Sequence, residues 1–523
     1  MHLKHKYLSI WTKFLLPKHS KNSMRHYGNK CSGDDQIGYL NWALETNLQD
    51  WSILKNNILN KPGVMNEKNV DGVIIKTMVR NRKLDSALSF ANHLKSVNLN
   101  LSMGATNGIL SLYYEMAKEK PLSEPEKQFI LSTYNDLYAK FQVLDFTTAE
   151  ILLHALCAID DWKKALKVLN DIKVSGTPSH SAYSTLIGTL FRNNKEKEAM
   201  MLISNSLSDL RPLQHYVYKE WIEYIRRKYK SKDKILKNLE KISLHISANF
   251  AVISEKAAVE IKKNYLSLGW RADFVKIDKK SFQCLCCNDT LKCFKLTKEE
   301  FELLHKNIKD KLIIGSDLFL KTSPKEIQSF MSFVDRTAPY DIVLDALNIG
   351  YTLGKSSNID RMGFLKTVVD HFNRQNKRIL LLGRKHMLRW HNKSLEYLMS
   401  KTCSFFTEDI SQDDPFFITA AILSGPHTDI VSKDLLRGHK FMLKDQVLKQ
   451  IFQRWQWEHQ WKVFLAGKRF TIQPPLQFTP CAQKNQEGWH LPFERVTVDD
   501  KGLLHDGIPD YDSWLCIRPN NVK

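Results

Sequence analysis

SQDDPFFITAAILSG, residues 411–425, sets two carboxylates, Asp413 and Asp414, side by side ahead of a proline and an apolar run. Asp414 before Pro415 is a good helix start. An acid at the cap accepts a bond from a free backbone N–H, and a proline at the first helical position loses nothing by lacking one. Phe416, Ala420 and Leu423 then recur at helical spacing, and Gly425 is a natural stop. Capping accounts for Asp414 and leaves Asp413 without a structural need to be acidic, so the neighbouring segments decide.

Those segments are β-rich. DIVLDALNI, KRILLLG, CSFFTED and TDIVSKD start at Asp341, Lys377, Cys403 and Thr428, and each is followed by a helical or turn-helix stretch. Strands alternating with helices predict a parallel sheet with helices on both faces, whose crevice lies outside the carboxyl ends of the strands. Asp345 closes the first strand. Asp413 and Asp414 lie just beyond the third, Cys403 to Thr407, and Asp434 lies just beyond the fourth, Ile430 to Ser432. Four uncompensated carboxylates at one edge repel, so either they are protonated or cations sit among them. Mg²⁺ is the expected cation, hard and suited to carboxylates plus substrate phosphate, with Mn²⁺ as a substitute. Two such ions activate a water and stabilise the leaving oxygen in an in-line attack on phosphorus. Taken singly, Asp345 is equally an ordinary strand-end residue, and Asp434 equally an N-cap for a helix from Leu435. The repeated choice of one edge carries the reading.

The rest of the chain fits a partner made of phosphates. Over 523 residues, Lys and Arg outnumber Asp and Glu by 77 to 56, a net charge of +21 that points to RNA or DNA. The length allows several domains. No stretch approaches the roughly eighteen uninterrupted apolar residues of a membrane span, and no membrane partner is expected. The first 33 residues hold seven Lys/Arg, four His and no acid, with interleaved Leu, Ile, Trp and Phe, the pattern of a mitochondrial transit peptide. A basic nucleic-acid-binding tail is the alternative. Without those seven charges the remainder is still near +14.

From about residue 70 to 255 the apolar pattern is helical and it repeats. Aligning the windows from Thr147 and Ser181 puts Ala149 on Tyr183, Leu152 on Leu186, Leu156 on Leu190 and Ala165 on Ala199, each pair 34 apart. The window from Val73 reads as a further copy, with Ala87 at the small-residue position where paired helices approach. A helical-hairpin solenoid is expected. The units resemble pentatricopeptide repeats, whose concave basic face binds RNA. A protein-binding tetratricopeptide-like solenoid is the other repeat class of this period, and the charge favours the RNA reader. Nearer the middle, CLCC contains a CxxC pair, Cys284 and Cys287, with zinc-knuckle spacing. Two thiols leave two readings open, half of a zinc site or a buried or redox-active pair.

VLDALNI, LLLGRKHMLRW, FFTEDISQDDPFFITAAILSG, IVSKDLLRGHK and FQRWQWEHQ resemble, in order, the nuclease domain of protein-only ribonuclease P, the PRORP family, with most likeness to its animal mitochondrial branch. The resemblance runs from about residue 280 to the end. It implies that Asp345, Asp413, Asp414 and Asp434 are the catalytic, Mg²⁺-binding residues, and that His490 and Cys516 join Cys284 and Cys287 around one structural Zn²⁺. Cys286 and Cys293 are then bystanders. Ala346 stands where the family usually has Gly, and Arg437-Gly438-His439 where it usually has Arg-Asp-His, so His439 is a secondary candidate without its acidic neighbour. Asn348 either holds a metal-bound water or braces the turn after the strand, the brace being favoured. Arg384, Lys385 and Arg389 are candidates for phosphate contacts, or equally a solvated basic face.

The implied protein is a multidomain endoribonuclease that removes 5′ leaders from mitochondrial precursor tRNAs in the matrix. Its expected parts are a transit peptide (1–33), an all-α pentatricopeptide solenoid (34–255), and a central zinc module (256–335) completed by a return segment (476–523). The fifth is an α/β PIN/NYN-like metallonuclease with a parallel sheet (336–475). The resemblance further implies two partner subunits, a tRNA methyltransferase and a short-chain dehydrogenase. A PIN/NYN-like nuclease acting on other mitochondrial RNA, or a non-catalytic repeat scaffold, are the alternatives; the four acids argue against the scaffold.

Overall fold

The computed structural model describes residues 35–46, 50–97, 100–209, 211–278, 280–308, 323–408, 413–432, 443, 445–466, 469–475, 477–485, 488–495 and 513–520. The expected transit segment 1–33, Asp434 and His439 lie outside the described residues. The chain forms two compact units, residues 1–136 and 137–523.

The first unit is helical, with helices Gln36–Glu45, Trp51–Leu59, Val70–Arg80, Leu84–Val97 and Met103–Ala117; a sixth, Glu124–Lys140, runs across the boundary. Two of them touch backbone to backbone. A Cβ on Gly72 would stand 2.6 Å from the carbonyl carbon of Gly104, so only glycine lets Val70–Arg80 approach Met103–Ala117 so closely.

The second unit begins with three more helix pairs, Phe146–Ala158 with Trp162–Ser175, His180–Arg192 with Glu196–Ser208, and His215–Lys228 with Lys232–Ala248. The 34-residue spacing has a backbone cause. Asp160 (φ 60°) and Asn194 (φ 59°) take the left-handed conformation that ends the first helix of a pair, as does Arg82 (φ 59°) in the first unit. The next N–H then reaches back five residues: Asp161 to the Leu156 carbonyl (3.0 Å) and Lys195 to that of Leu190 (2.8 Å). Ala87, Ala165 and Ala199, the small residues singled out by alignment, are fully buried. The expected helical repeats are present.

A small sheet follows, assembled from both sides of the region between. Its order is β1 (Ile253–Ser254), β10 (Gly488–Glu494), β11 (Trp514–Arg518), β2 (Arg271–Val275), with β9 (Gln483–Asn485) also paired to β10. Helix Glu255–Ser267 connects β1 to β2.

Between these strands lies the α/β region. Its sheet has the order β5 (Cys403–Thr407), β4 (Ile379–Arg384), β3 (Ile342–Asp345), β6 (Asp429–Val431), β7 (Gln460–Ala466), β8 (Arg469–Gln473). The four expected strands are parallel; β7 extends them in parallel and β8 turns back antiparallel. Because both faces are covered, the strands read as continuous apolar runs. Val343, Leu380 and Leu382 pack with Phe330, Phe416 and Trp455 in one core. Ile342, Leu344, Ile379 and Leu381 alternate into the other, with Leu365, Val369 and Phe372. Helix Gln446–His459 also holds this region to the repeats: Lys449 Nζ donates to the Ser208 carbonyl (3.1 Å), and the Trp457 ring meets Phe250 edge-on at 5.4 Å. Among the described residues, no helix is long and apolar enough to cross a membrane.

Candidate active site and metal centre

Asp345 ends β3 and is 6 % exposed. One carboxylate oxygen accepts from the Asn348 backbone N–H (3.0 Å), capping helix Ala346–Tyr351, and the other accepts from the hydroxyl of buried Ser432 (3.0 Å). The register explains the second bond. Leu344 faces Val431, so the next step along each strand puts Asp345 opposite Ser432. Asn348 touches Asp345 through its main-chain N–H. Ser432 was not singled out from the sequence, although it stands directly after the fourth strand.

The helix carrying the paired acids starts at Asp413, two residues before Pro415, the expected first helical position, and runs to Ser424. Both Asp413 and Asp414 therefore occupy its first turn, with Pro415 in the third position, where a missing N–H is still harmless. At the other end the Ser424 hydroxyl binds the backbone of Tyr340, ahead of β3. Twelve helical residues span about 16–18 Å, and the five steps from Tyr340 to Asp345 span about 16 Å. The start of the helix is thus level with Asp345, at the carboxyl edge of the sheet.

The basic candidates follow β4. Arg384 ends that strand, and the Lys385–Arg389 3-10 turn comes next, with Arg389 exposed. Lys385 is half-exposed and ion-paired with Glu408, the first residue beyond β5. That acid, also unforeseen, tempers the charge Lys385 offers to a phosphate.

The thiol cluster is built by three segments. Cys284 and Cys287 flank a turn in which the Asn288 N–H returns to the Cys284 carbonyl (2.9 Å) and the Cys286 N–H points at the Cys284 sulfur (3.5 Å). His490 and Cys516 are cross-strand partners on β10 and β11. The four ligand atoms lie within 4.8 Å of one another, with Cys287 Sγ 3.2 Å from His490 Nε2. Hydrogen bonding from Cys516 holds the Cys284 thiol down to about 3, burial raises Cys287 to about 11, and its bond to Cys284 pushes Cys516 up. Three sulfurs and an imidazole suit a soft, tetrahedral ion with bonds of about 2.0–2.3 Å. Cys286 is turned away, with its sulfur accepting from Arg518 (3.2 Å), and Cys293 is exposed.

The protein-only RNase P family model matches residues 278–516. The mitochondrial ribonuclease P catalytic subunit of Mus musculus is 30% identical over 486 residues, covering 90% of this chain and 78% of the relative. That of Rattus norvegicus is 31% identical over 400 residues, covering 74% and 66%. The crystal structure of nuclear proteinaceous RNase P 2 from A. thaliana has a similar fold, with a TM-score of 0.51 at 15% identity over 87% of this chain and all of that one. The family model and the named relatives make this a ribonuclease of a metal-dependent family, built from helical repeats, a parallel α/β sheet and a Cys/His cluster able to hold a metal. The chain belongs to the protein-only RNase P family.

Proposed function

We propose that this protein is the catalytic subunit of a mitochondrial ribonuclease P, which cuts the 5′ leader from precursor tRNAs in the matrix and leaves a 5′-phosphate on the tRNA. The observation that carries the reading is the buried Asp345 carboxylate at the end of β3, held by Ser432 and the Asn348 N–H, in a chain of this family. Asp345, Asp413, Asp414 and Asp434 hold two Mg²⁺, with Mn²⁺ as a substitute, and His439 is a secondary candidate. Bound there, the ions supply an activated water and charge neutralisation at the leaving oxygen. The chain supplies geometry: Ser432 and the Asn348 N–H orient the Asp345 carboxylate, and Arg384 and Arg389 steer the phosphodiester, with Lys385 shared between RNA and Glu408.

The repeats, residues 34–255, grip the tRNA body. The nuclease, 336–475, is inserted in a module formed by 256–335 and 476–523, where Cys284, Cys287, His490 and Cys516 bind one structural Zn²⁺. The segment 1–33 directs import, and a tRNA methyltransferase and a short-chain dehydrogenase are the partner subunits. The test is cleavage of one precursor tRNA in Mg²⁺, with and without those partners, comparing wild type with Asp413→Asn. A cut at the leader junction that the substitution slows at least a hundredfold is expected. Equal rates would refute the metal assignment.

A further inference from the structure

Along the helix that follows β3, residues from three separate segments make a half-open aromatic surface to which the proposed activity assigns no role. Tyr351 ends the helix that Asp345 caps, and it is 47 % exposed. The Arg361 guanidinium lies 4.3 Å above its ring and 5.8 Å from that of Trp390, which meets Tyr351 edge-on at 6.0 Å. Arg361 is fixed from behind, donating to Asn358 Oδ1 (3.2 Å) and to the Gly354 carbonyl (3.1 Å). Gly350 makes room, since a Cβ there would come 3.3 Å from the Trp390 ring. Exposed large side chains are common in this protein, and the Tyr351 ring is set apart by the cation and the second ring that hold it. This one is held rigid and left open, with exposed Arg389 adjacent in sequence to Trp390.

We propose that Tyr351 and Trp390, clamped by Arg361, form a stacking platform for the unpaired leader bases next to the scissile phosphate. The inference rests on the precursor-tRNA reading above. From Asp345 to Tyr351 the helix rises about 9 Å, the length of two to three nucleotides stacked at about 3.4 Å each. Of the two sides of the cut, only the leader is unpaired, and only unpaired bases offer free faces to aromatic rings. Stacking of this kind tolerates any base. Leader sequence would therefore matter little, while the presence of a base would matter.

The test uses the full chain and a precursor tRNA with 2-aminopurine at the first or second leader position, bound in Ca²⁺. Wild type is expected to quench the probe by stacking, Tyr351→Ala to lose most of the quenching and Tyr351→Phe to retain it. In Mg²⁺, wild type should cut a leader with bases about tenfold more efficiently than an abasic leader. That ratio should collapse in Tyr351→Ala and persist in Tyr351→Phe. Equal quenching by wild type and Tyr351→Ala, or a ratio the substitution leaves untouched, overturns the platform. The two readings fail separately. Junction cleavage by a wild type indifferent to abasic leaders removes only the platform, whereas Tyr351-dependent quenching with no junction cleavage removes only the precursor-tRNA function.

Discussion

Replacing Cys516 with serine tests the metal centre at a fully enclosed donor. Cys516 is 1 % exposed in the middle of β11, opposite His490 on β10 and Asp273 on β2. Serine keeps the strand and nearly the volume but exchanges a soft sulfur for a protonated oxygen, leaving three good donors. Changes outside the ligand shell already cost 10–100-fold in metal affinity, so losing a donor should exceed the upper figure, about 2.7 kcal/mol. In a cooperative unit of 150–250 residues, each kcal/mol moves the melting midpoint about 2–4 °C, which makes the expected drop at least about 5–11 °C. Plasma mass spectrometry should find one zinc per wild-type chain and almost none in Cys516→Ser. Melting followed by tryptophan fluorescence, with Trp489 and Trp514 buried in the same sheet, should report the drop. Cys286→Ser is the control and should keep its zinc. A Cys516→Ser protein with a full equivalent of zinc would show that these four side chains do not hold the ion.

Three further outcomes follow from single contacts. Ser432→Ala removes the hydroxyl that orients Asp345 and should raise the Mg²⁺ needed for half-maximal cleavage about tenfold; an unchanged Mg²⁺ titration would show that the bond has no bearing on the metal. Gly72→Ala gains about 1 kcal/mol of helix propensity but drives a methyl into the Gly104 backbone, at about 1–3 kcal/mol, so urea denaturation should show a net loss of up to about 2 kcal/mol. A net gain would mean that the two helices part freely. Burial beside the Trp221 ring holds His245 down to about 4 from an ordinary 6.5, so the fold carries the neutral ring. Its contribution, at most about 3 kcal/mol, is fully present above about pH 6.5 and is lost as pH falls from there through about 4. His245→Gln should flatten that part of the stability profile.

Local patterns were legible in the sequence and distant pairings were not. The strands β3 to β6 announced themselves as apolar runs, and strand ends plus one rule about parallel sheets led to the expectation that Asp345 and the paired acids share an edge. The 34-residue period was visible because the copies that turn at Asp160 and Asn194 share the same left-handed turn and the same small alanine. Where the repeat loses its length, as between Met103 and Phe146, the period hid the pair that the structure contains. The sheet made by β1, β2 and β9 to β11 carries no local signal, since its strands find each other across the whole nuclease region. For the same reason His490 and Cys516 were reachable only through family resemblance, while the CxxC pair was plain. β7 and β8 were missed because Gln460 continues directly from a tryptophan-rich helix. Ser432, Glu408 and the Tyr351–Arg361–Trp390 cluster are single residues of common type, and only the register and packing give them meaning.

The small sheet also bears on the order of assembly. Ser247 bonds the Ala482 backbone 235 positions away, and Arg271 bonds Asn520 across 249. Repeats close on their neighbours and can form as soon as each pair of helices is complete, but contacts this remote wait until the chain is almost finished. During synthesis or after translocation, folded repeats would precede an open sheet by roughly half the chain. The two halves of the thiol cluster meet only at that last closure. Metal uptake would then mark completed folding, and a truncated chain lacking β11 would have no way to acquire it.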